Sequence, residues 1–447
     1  MRQRSRTSSA SDFVARFTRR PTVLVVAGPL VLALALAGCS APLSDAGAGS
    51  PTGGAAAHST ILGSVPVLTN EYFQMWDRGG SEAAPAFNAD WRMQSYNGDA
   101  ATQIDQMRSA SSAGISQVIT FPVTNDAVGP IGEILGQSKI PWATSFAVTA
   151  WSTPSEKKFA GFYATLNMPR EVAGTKALSE AVFKNIGGKG NVIYLAGPLG
   201  DRTSVFRHAG FTAAAAEFPG IKVLEEPIGG GDGAKSREVM QAMLSKYNNI
   251  DAVITHNSTS ALGAVSVLEE AGNTHVKVGG TDETQLMLNK LIAGPNVVAV
   301  QSIFGTWLAG YLVARNYDAL HGVKLDPLEH MMFQDSVVLD TKEAAKAYLG
   351  VETATKTGFN WAKMSRALHP QDWETQIGVT PVDPTPFFED LKTPRPAGFT
   401  YPADLQASLD AGNLDKLAKV YAAHVGSNPY AKAISLTSTG KTVMGNK

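Results

Sequence analysis

Residues 252–272 read AVITHNSTSALGAVSVLEEAG. Residues 252–255 are a short β-branched and apolar run, long enough for a buried strand and too short for a helix. His256-Asn257-Ser258 breaks the run with polar residues, and Asn closing a strand is a natural cap or turn former. From 258 onward apolar residues recur at helical spacing until Gly272 ends the pattern. Strand, polar turn, helix: the same unit recurs from Ile61 onward, with strands expected over 64–68, 92–96, 117–121 and 142–146. After a break near Asn167 it resumes over 191–196, 222–225, 252–255, 276–279 and 297–300. Alternation of this kind predicts parallel sheets with helices on both faces. Two blocks of it predict two α/β lobes rather than one large sheet. Ligands of such sheets bind beyond the carboxyl ends of the strands, so the residues just after each strand deserve the closest reading.

The amino-terminal region has a different character. Arg2, Arg4, Arg6, Arg16, Arg19 and Arg20 precede an uncharged, mostly aliphatic run over 23–37, followed by LAGCS at 36–40. A basic region, an apolar region and small residues in that order form an export signal, expected over 1–38. Leu36-Ala37-Gly38-Cys39 resembles the bacterial lipobox, which implies cleavage before Cys39 and lipidation of its sulfur and freed amine. Several acyl chains anchor a protein stably where one does not. Arg19-Arg20 is followed by Pro21, so the general secretory and twin-arginine routes both stay open. Residues 39–58, rich in Ala, Gly, Ser and Pro, bury almost nothing and predict a flexible tether.

Cys39 is the single cysteine of the 447-residue chain, so no internal disulfide is possible. Removing 1–38 takes six arginines and Asp12, which leaves a net charge of about −6. A chain of that sign does not attract nucleic acid.

Seven strand-end stretches then stand in order: LTNEYF (68–73), FPVTNDAV (121–128), IPWATSF (140–146), FRHAGF (206–211), HNSTSALGA (256–264), VGGTDET (278–284) and AVQ (299–301). Their order and spacing are similar to those of type I periplasmic solute-binding proteins, nearest to the ribose-binding type that serves ABC sugar importers. The resemblance covers about 60–340. It implies an α/β fold of two Rossmann-like, three-layer lobes joined by a three-stranded hinge, with crossings near Asn167, Ser302 and residue 335. The first lobe would span 59–166 with 303–333, the second 167–302 with 334–345, and 346–447 would be a mainly helical and irregular extension.

The resemblance also implies a cleft in which a sugar lies between aromatic rings, its hydroxyls held by amide, carboxylate and guanidinium groups. The matching positions are Asn70, Tyr72, Phe73, Arg207, Asn257, Asp282 and Gln301. Taken singly, Tyr72 and Phe73 could be core, Asn257 and Asp282 caps or turn residues, and Arg207 a solvated helix arginine. Their joint match outweighs those readings, with Arg207, Asn257 and Asp282 foremost. Two departures stand out: Phe121 where the family commonly has Asn, and Phe146-Ala147 where it commonly has Asp-Arg. Aromatic surface cannot satisfy a ring of hydroxyls, since each buried one left unpaired costs about 1–3 kcal/mol. A ligand with one hydroxyl-rich side and one apolar side is therefore expected: a deoxy sugar, a substituted glycoside or a small polyol. Trp142 and Trp151 could extend the aromatic surface.

The receptor so implied is a monomer without a cofactor. It sits on the extracytoplasmic face of the cell membrane through its lipid anchor, with an importer permease as partner and presentation of bound ligand to a membrane sensor as the alternative. Enzymatic signatures are absent: the histidines show no H-E-x-x-H spacing, no G-x-S-x-G occurs, and STGKT at 438–442 has Ser435 where a phosphate loop needs its first glycine. GPLGDRTS (197–204) reads as an ordinary strand-to-helix turn. In the tail, 341–350 and 413–425 read as helices, and Trp361, Trp373, Phe387 and Phe388 require burial against a lobe or the cleft mouth.

Overall fold

A computed structural model describes residues 58–444. The expected export signal, Cys39 and all but the last residue of the tether lie outside the described residues.

The first sheet is built from β1 (Ser59–Val65), β2 (Ala89–Ser95), β3 (Gln117–Thr120), β4 (Trp142–Ser145) and β5 (Tyr163–Pro169), in the spatial order 2-1-3-4-5. The second repeats that order with β6 (Lys189–Leu195), β7 (Gly220–Glu225), β8 (Ala252–Thr255), β9 (Lys277–Thr281) and β10 (Val297–Ser302). All pairings among these ten strands are parallel. The expected two-lobed α/β architecture is the observed one. Most strands fall within a few residues of their expected positions, but β1 begins and ends earlier than 64–68. Pro66 has no N–H to give a ladder, whereas the preceding residues pair on both sides, with β2 and with β3. Helices follow the strands because the turn residues cap them: the side chains of Asn70, Asp99, Asp201, Asn257 and Thr284 each accept a backbone N–H of the turn they open.

The chain passes between the lobes three times: from β5 into helix Glu171–Asn185, from β10 into helix Gly305–Leu320, and from β11 (Met331–Gln334) into β12 (Val337–Leu339). β11 joins the first sheet beside β5, and β12 joins the second beside β10. The three crossings are laced together. Asn167 Nδ2 donates to Gln334 Oε1 at 2.5 Å, Gln334 Nε2 donates to the Ile303 carbonyl, and Arg170 pairs with Asp335 at 3.2 Å.

The tail is more than a helical appendage. Helix Lys342–Glu352 packs on the second lobe, and β13 (Val379–Pro381) then adds an antiparallel edge strand to β11 of the first sheet. Near the end the chain returns to the second lobe: Thr341 Oγ1 donates to the Leu436 carbonyl, Ser438 binds Asp340, and Val443 bridges Ser336. The tail thus grips both lobes. Its aromatics are buried as their composition requires, with Trp373 stacked on His424 at 4.0 Å and Tyr430 on Tyr348 at 4.2 Å. Trp142 and Trp151 do not extend an aromatic cleft surface. Trp142 lies in the first-lobe core, stacked on Tyr163 at 3.7 Å, and Trp151 packs under the tail on Phe388 and donates to the Thr393 carbonyl.

Candidate functional site

Because the lobes share a strand order, their strand ends correspond. Phe146 follows β4 and Asp282 follows β9, the fourth strand of each lobe, and both adopt left-handed backbone, φ 67° and 77°. A bulky residue held there is strained by about 1–3 kcal/mol, and such strain gathers at functional sites. Phe121 follows β3, and His256-Asn257 follows β8.

On the first-lobe side the sequence-predicted aromatics meet. Tyr72 and Phe73 sit on the first turn of helix Glu71–Ala83, which Asn70 opens by accepting the Tyr72 N–H at 2.9 Å. Ring centroids lie 6.0 Å apart for Tyr72–Phe146, 5.3 Å for Phe73–Phe121 and 5.1 Å for Phe121–Phe146, mostly edge to face. These separations suit favourable quadrupole contacts, and Phe121 alone of the four remains half-buried.

Charge collects on the second-lobe side. Arg207, expected on a helix, is 3 % exposed rather than solvated. Its Nε meets Glu171 Oε2 at 2.7 Å, its Nη1 donates to the His256 carbonyl at 2.6 Å, and its Nη2 stands 4.0 Å from Asp282. Burial opposes its charge, but Glu171 and Asp282 outweigh that and hold the guanidinium ionised. Burial also raises the Asp282 carboxyl above its usual range, against the pull of Arg207. The next carboxyl, Glu283, is pushed up to about 7 by burial, although it accepts the Ile303 N–H at 2.8 Å and the Gly305 N–H at 2.7 Å of the second crossing. His256 is held well below its ordinary value by burial and by Arg207, so its imidazole is neutral.

The other predicted amides have structural partners. Asn257 Oδ1 accepts the Ser260 N–H at 2.9 Å, the cap that its position first suggested, and its Nδ2 donates to the Gly231 carbonyl at 3.2 Å. Gln301 sits beneath helix Glu171–Asn185, its Oε1 accepting from Thr281 at 3.0 Å and Thr175 at 3.3 Å. Its Nε2 has no partner.

Arg202 and Glu171 escaped the sequence reading. Arg202, within the turn read as an ordinary connection, is 2 % exposed and donates from Nε to the Phe146 carbonyl, so a second-lobe arginine touches the first-lobe strand end directly. Burial lowers its pKa, and neither Nη1 nor Nη2 has a hydrogen-bond partner. Buried donors left so cost free energy, and here they lie beside the junction of the two walls. Among the described residues no group of three or more His, Cys, Asp or Glu could hold a metal ion.

A sequence profile of the periplasmic binding protein domain matches residues 61–303, more than half of the chain. The chain belongs to the periplasmic binding protein family. Among its relatives, a xylitol-binding protein of Mycolicibacterium smegmatis is 30 % identical over 247 residues, 55 % of this chain and 68 % of that protein. A ribose import binding protein of Salmonella typhimurium is 27 % identical over 230 residues, 52 % of this chain and 74 % of that protein. The fold is similar to that of an ABC transporter periplasmic solute-binding protein of Actinobacillus succinogenes with bound D-allose, with TM-score 0.58 and 22 % identity over 65 % of this chain and all of the other. This periplasmic binding protein is thus a solute-binding component of the sugar and polyol ABC transporter class, not an enzyme.

Proposed function

We propose that this binding protein, anchored outside the cell through lipidated Cys39, captures a polyol or deoxy sugar between its lobes and delivers it to an ABC permease. The observation that carries this reading is the pairing of Phe146 with Asp282 at equivalent strand ends, each in left-handed backbone. The apolar edge of such a ligand packs on Phe121 and Phe146, while its hydroxyls meet Asp282 and the unpartnered donors of Arg202. Xylitol, the ligand in the name of the 30 % identical relative, fits that division. Contact with both walls favours the closed form over the open one, and that difference in affinity drives hinge closure.

The test is a thermal-shift and calorimetric screen of xylitol, other pentitols, 6-deoxyhexoses and ribose. A true ligand at 100 times its Kd stabilises the protein by about 2.7 kcal/mol. Silence from every polyol and sugar would end this reading. Anchoring is tested separately: Cys39→Ser is expected to release the protein into the medium, and retention of the variant at the membrane would remove the lipid anchor.

A further inference from the structure

We propose that the C-terminal tail restrains the hinge, holding the two lobes close to the arrangement seen here and narrowing the angle through which they swing. Beyond the three crossings of the hinge, the tail itself passes between the lobes twice. Helix Lys342–Glu352 packs on helix Gln285–Ala293 of the second lobe. Exposed residues 353–356 then lead to the first lobe, where Thr357 donates from its N–H and Oγ1 to Glu82 Oε2 at 3.1 and 2.6 Å, and Arg78 Nη2 donates to the Ala354 carbonyl at 2.6 Å. Residues 357–425 stay with that lobe. Asp318 accepts the Ser365 hydroxyl and the N–H groups of Arg366 and Ala367, Trp307 Nε1 donates to the Thr375 carbonyl, and β13 extends the first sheet. The return runs through residues 426–429 to Tyr430, which stacks on Tyr348 and binds Glu352 back on the second lobe. Each passage is a short tether, since its residues reach at most about 14 Å when fully extended.

The tail also bonds each of the three crossings. At the first, Arg170 Nη2 donates to Thr380 Oγ1 at 2.5 Å. At the second, Ser302 Oγ donates to the Tyr348 hydroxyl at 2.9 Å, and Thr306 Oγ1 donates to Glu352 Oε2 at 2.9 Å. At the third, the Asp335 N–H donates to the Gly378 carbonyl at 2.8 Å, Thr442 Oγ1 donates to Asp335 Oδ2 at 3.1 Å, and Ser336 pairs with Val443. Hinge motion is absorbed by backbone rotation at a few such residues. Here those residues are tied to packed parts of the tail that sit on both lobes: Gly378 and Thr380 on the first, Tyr348, Glu352 and Val443 on the second. A swing of the lobes must break these bonds or drag the tail with it. Across the cleft the walls already touch, Arg202 Nε at the Phe146 carbonyl and the Leu286 N–H at Glu71 Oε1, 3.2 Å away. The restrained arrangement is therefore the shut one. A cleft held shut spares a ligand the cost of closing it, which raises the apparent affinity.

The test uses the full chain carrying Cys39→Ser, Ser111→Cys and Ala242→Cys, which leaves one labelling site at an exposed position on each lobe. Double electron–electron resonance between spin labels there reads the distance between the lobes. No ligand is added, so the result stands apart from what the cleft binds. Three samples are compared: the chain with its own passages, the chain with a protease recognition sequence inserted after Thr355 and again after Gly426, and the latter cut at both inserts after folding. Exposed loop tips tolerate insertion, and the uncut inserted chain serves if the cut one loses its fold. The first sample is expected to give one narrow distribution, the second a wider one, and the third a further population displaced by about 5 Å or more. A broad or double distribution in the first sample would overturn the proposal, and so would inserts that leave it unchanged whether whole or cut.

Discussion

The two walls of the cleft are the same piece of topology carrying opposite chemistry. Phe146 and Asp282 occupy one slot, the residue after the fourth strand, in one backbone conformation. Around the first gather rings that gain from burial alone, and around the second gather charges that burial penalises and that persist because they are paired. On the proposed reading, the fold sets where a ligand is met and leaves open what meets it. A wall of rings tolerates change, whereas a wall of buried charges fails when one partner is removed.

That contrast can be broken most directly at Glu171. Glu171→Gln leaves the Arg207 guanidinium only the more distant Asp282 as counter-charge, and breaking a buried pair costs about 3–5 kcal/mol, read by urea unfolding. A loss below about 1 kcal/mol would mean that the charged wall is no more fragile than the aromatic one. Next comes pH. Glu283 has a folded pKa of about 7 against an ordinary 4.5, so between those values the native state keeps a proton that the unfolded chain has released. Its contribution is therefore full below pH 4.5 and is lost as pH rises to 7, a fall of up to about 3 kcal/mol. Glu283→Gln is expected to flatten that interval, and an unaltered slope in the variant would assign the dependence elsewhere. Smaller again, Asp282→Asn is expected to weaken sugar or polyol binding about tenfold to a hundredfold while the chain still folds, the worth of one charged hydrogen bond of about 1.5–3 kcal/mol. Unchanged affinity would take Asp282 out of the site. Smallest is Phe146→Asn. Asparagine tolerates left-handed backbone, and the Arg202 contact uses only the carbonyl, so the fold persists. The ratio of affinities for ribose and 2-deoxyribose should move about threefold to tenfold toward ribose, and a fixed ratio would show that the ring does not select.

The lobes were legible because each strand-turn-helix unit is local, and β8 lies where residues 252–255 predict it. The aromatic wall was legible too, since its members follow strands that could be counted. The charged wall was only half legible. Arg207 could be named, but its burial depends on Glu171, 36 residues earlier and on another helix. Arg202 was hidden for the same reason, its contact being a carbonyl in the opposite lobe. Asn257 shows the reverse: the modest reading of a helix cap describes its Oδ1, while its Nδ2 reaches the carbonyl of Gly231, 26 residues earlier. β13 was illegible, for three residues that follow a glycine and end on a proline look like a loop until β11 supplies their ladder.

β11 lies against β5, pairing residue 331 with 166, and β13 then hems β11 with residues 379–381. A polypeptide emerging amino end first cannot complete its opening sheet until most of its length is out. Such distant pairings carry a large loop-closure cost and delay assembly. The last segment to appear works as a drawstring, pulling both halves tight once translation is done.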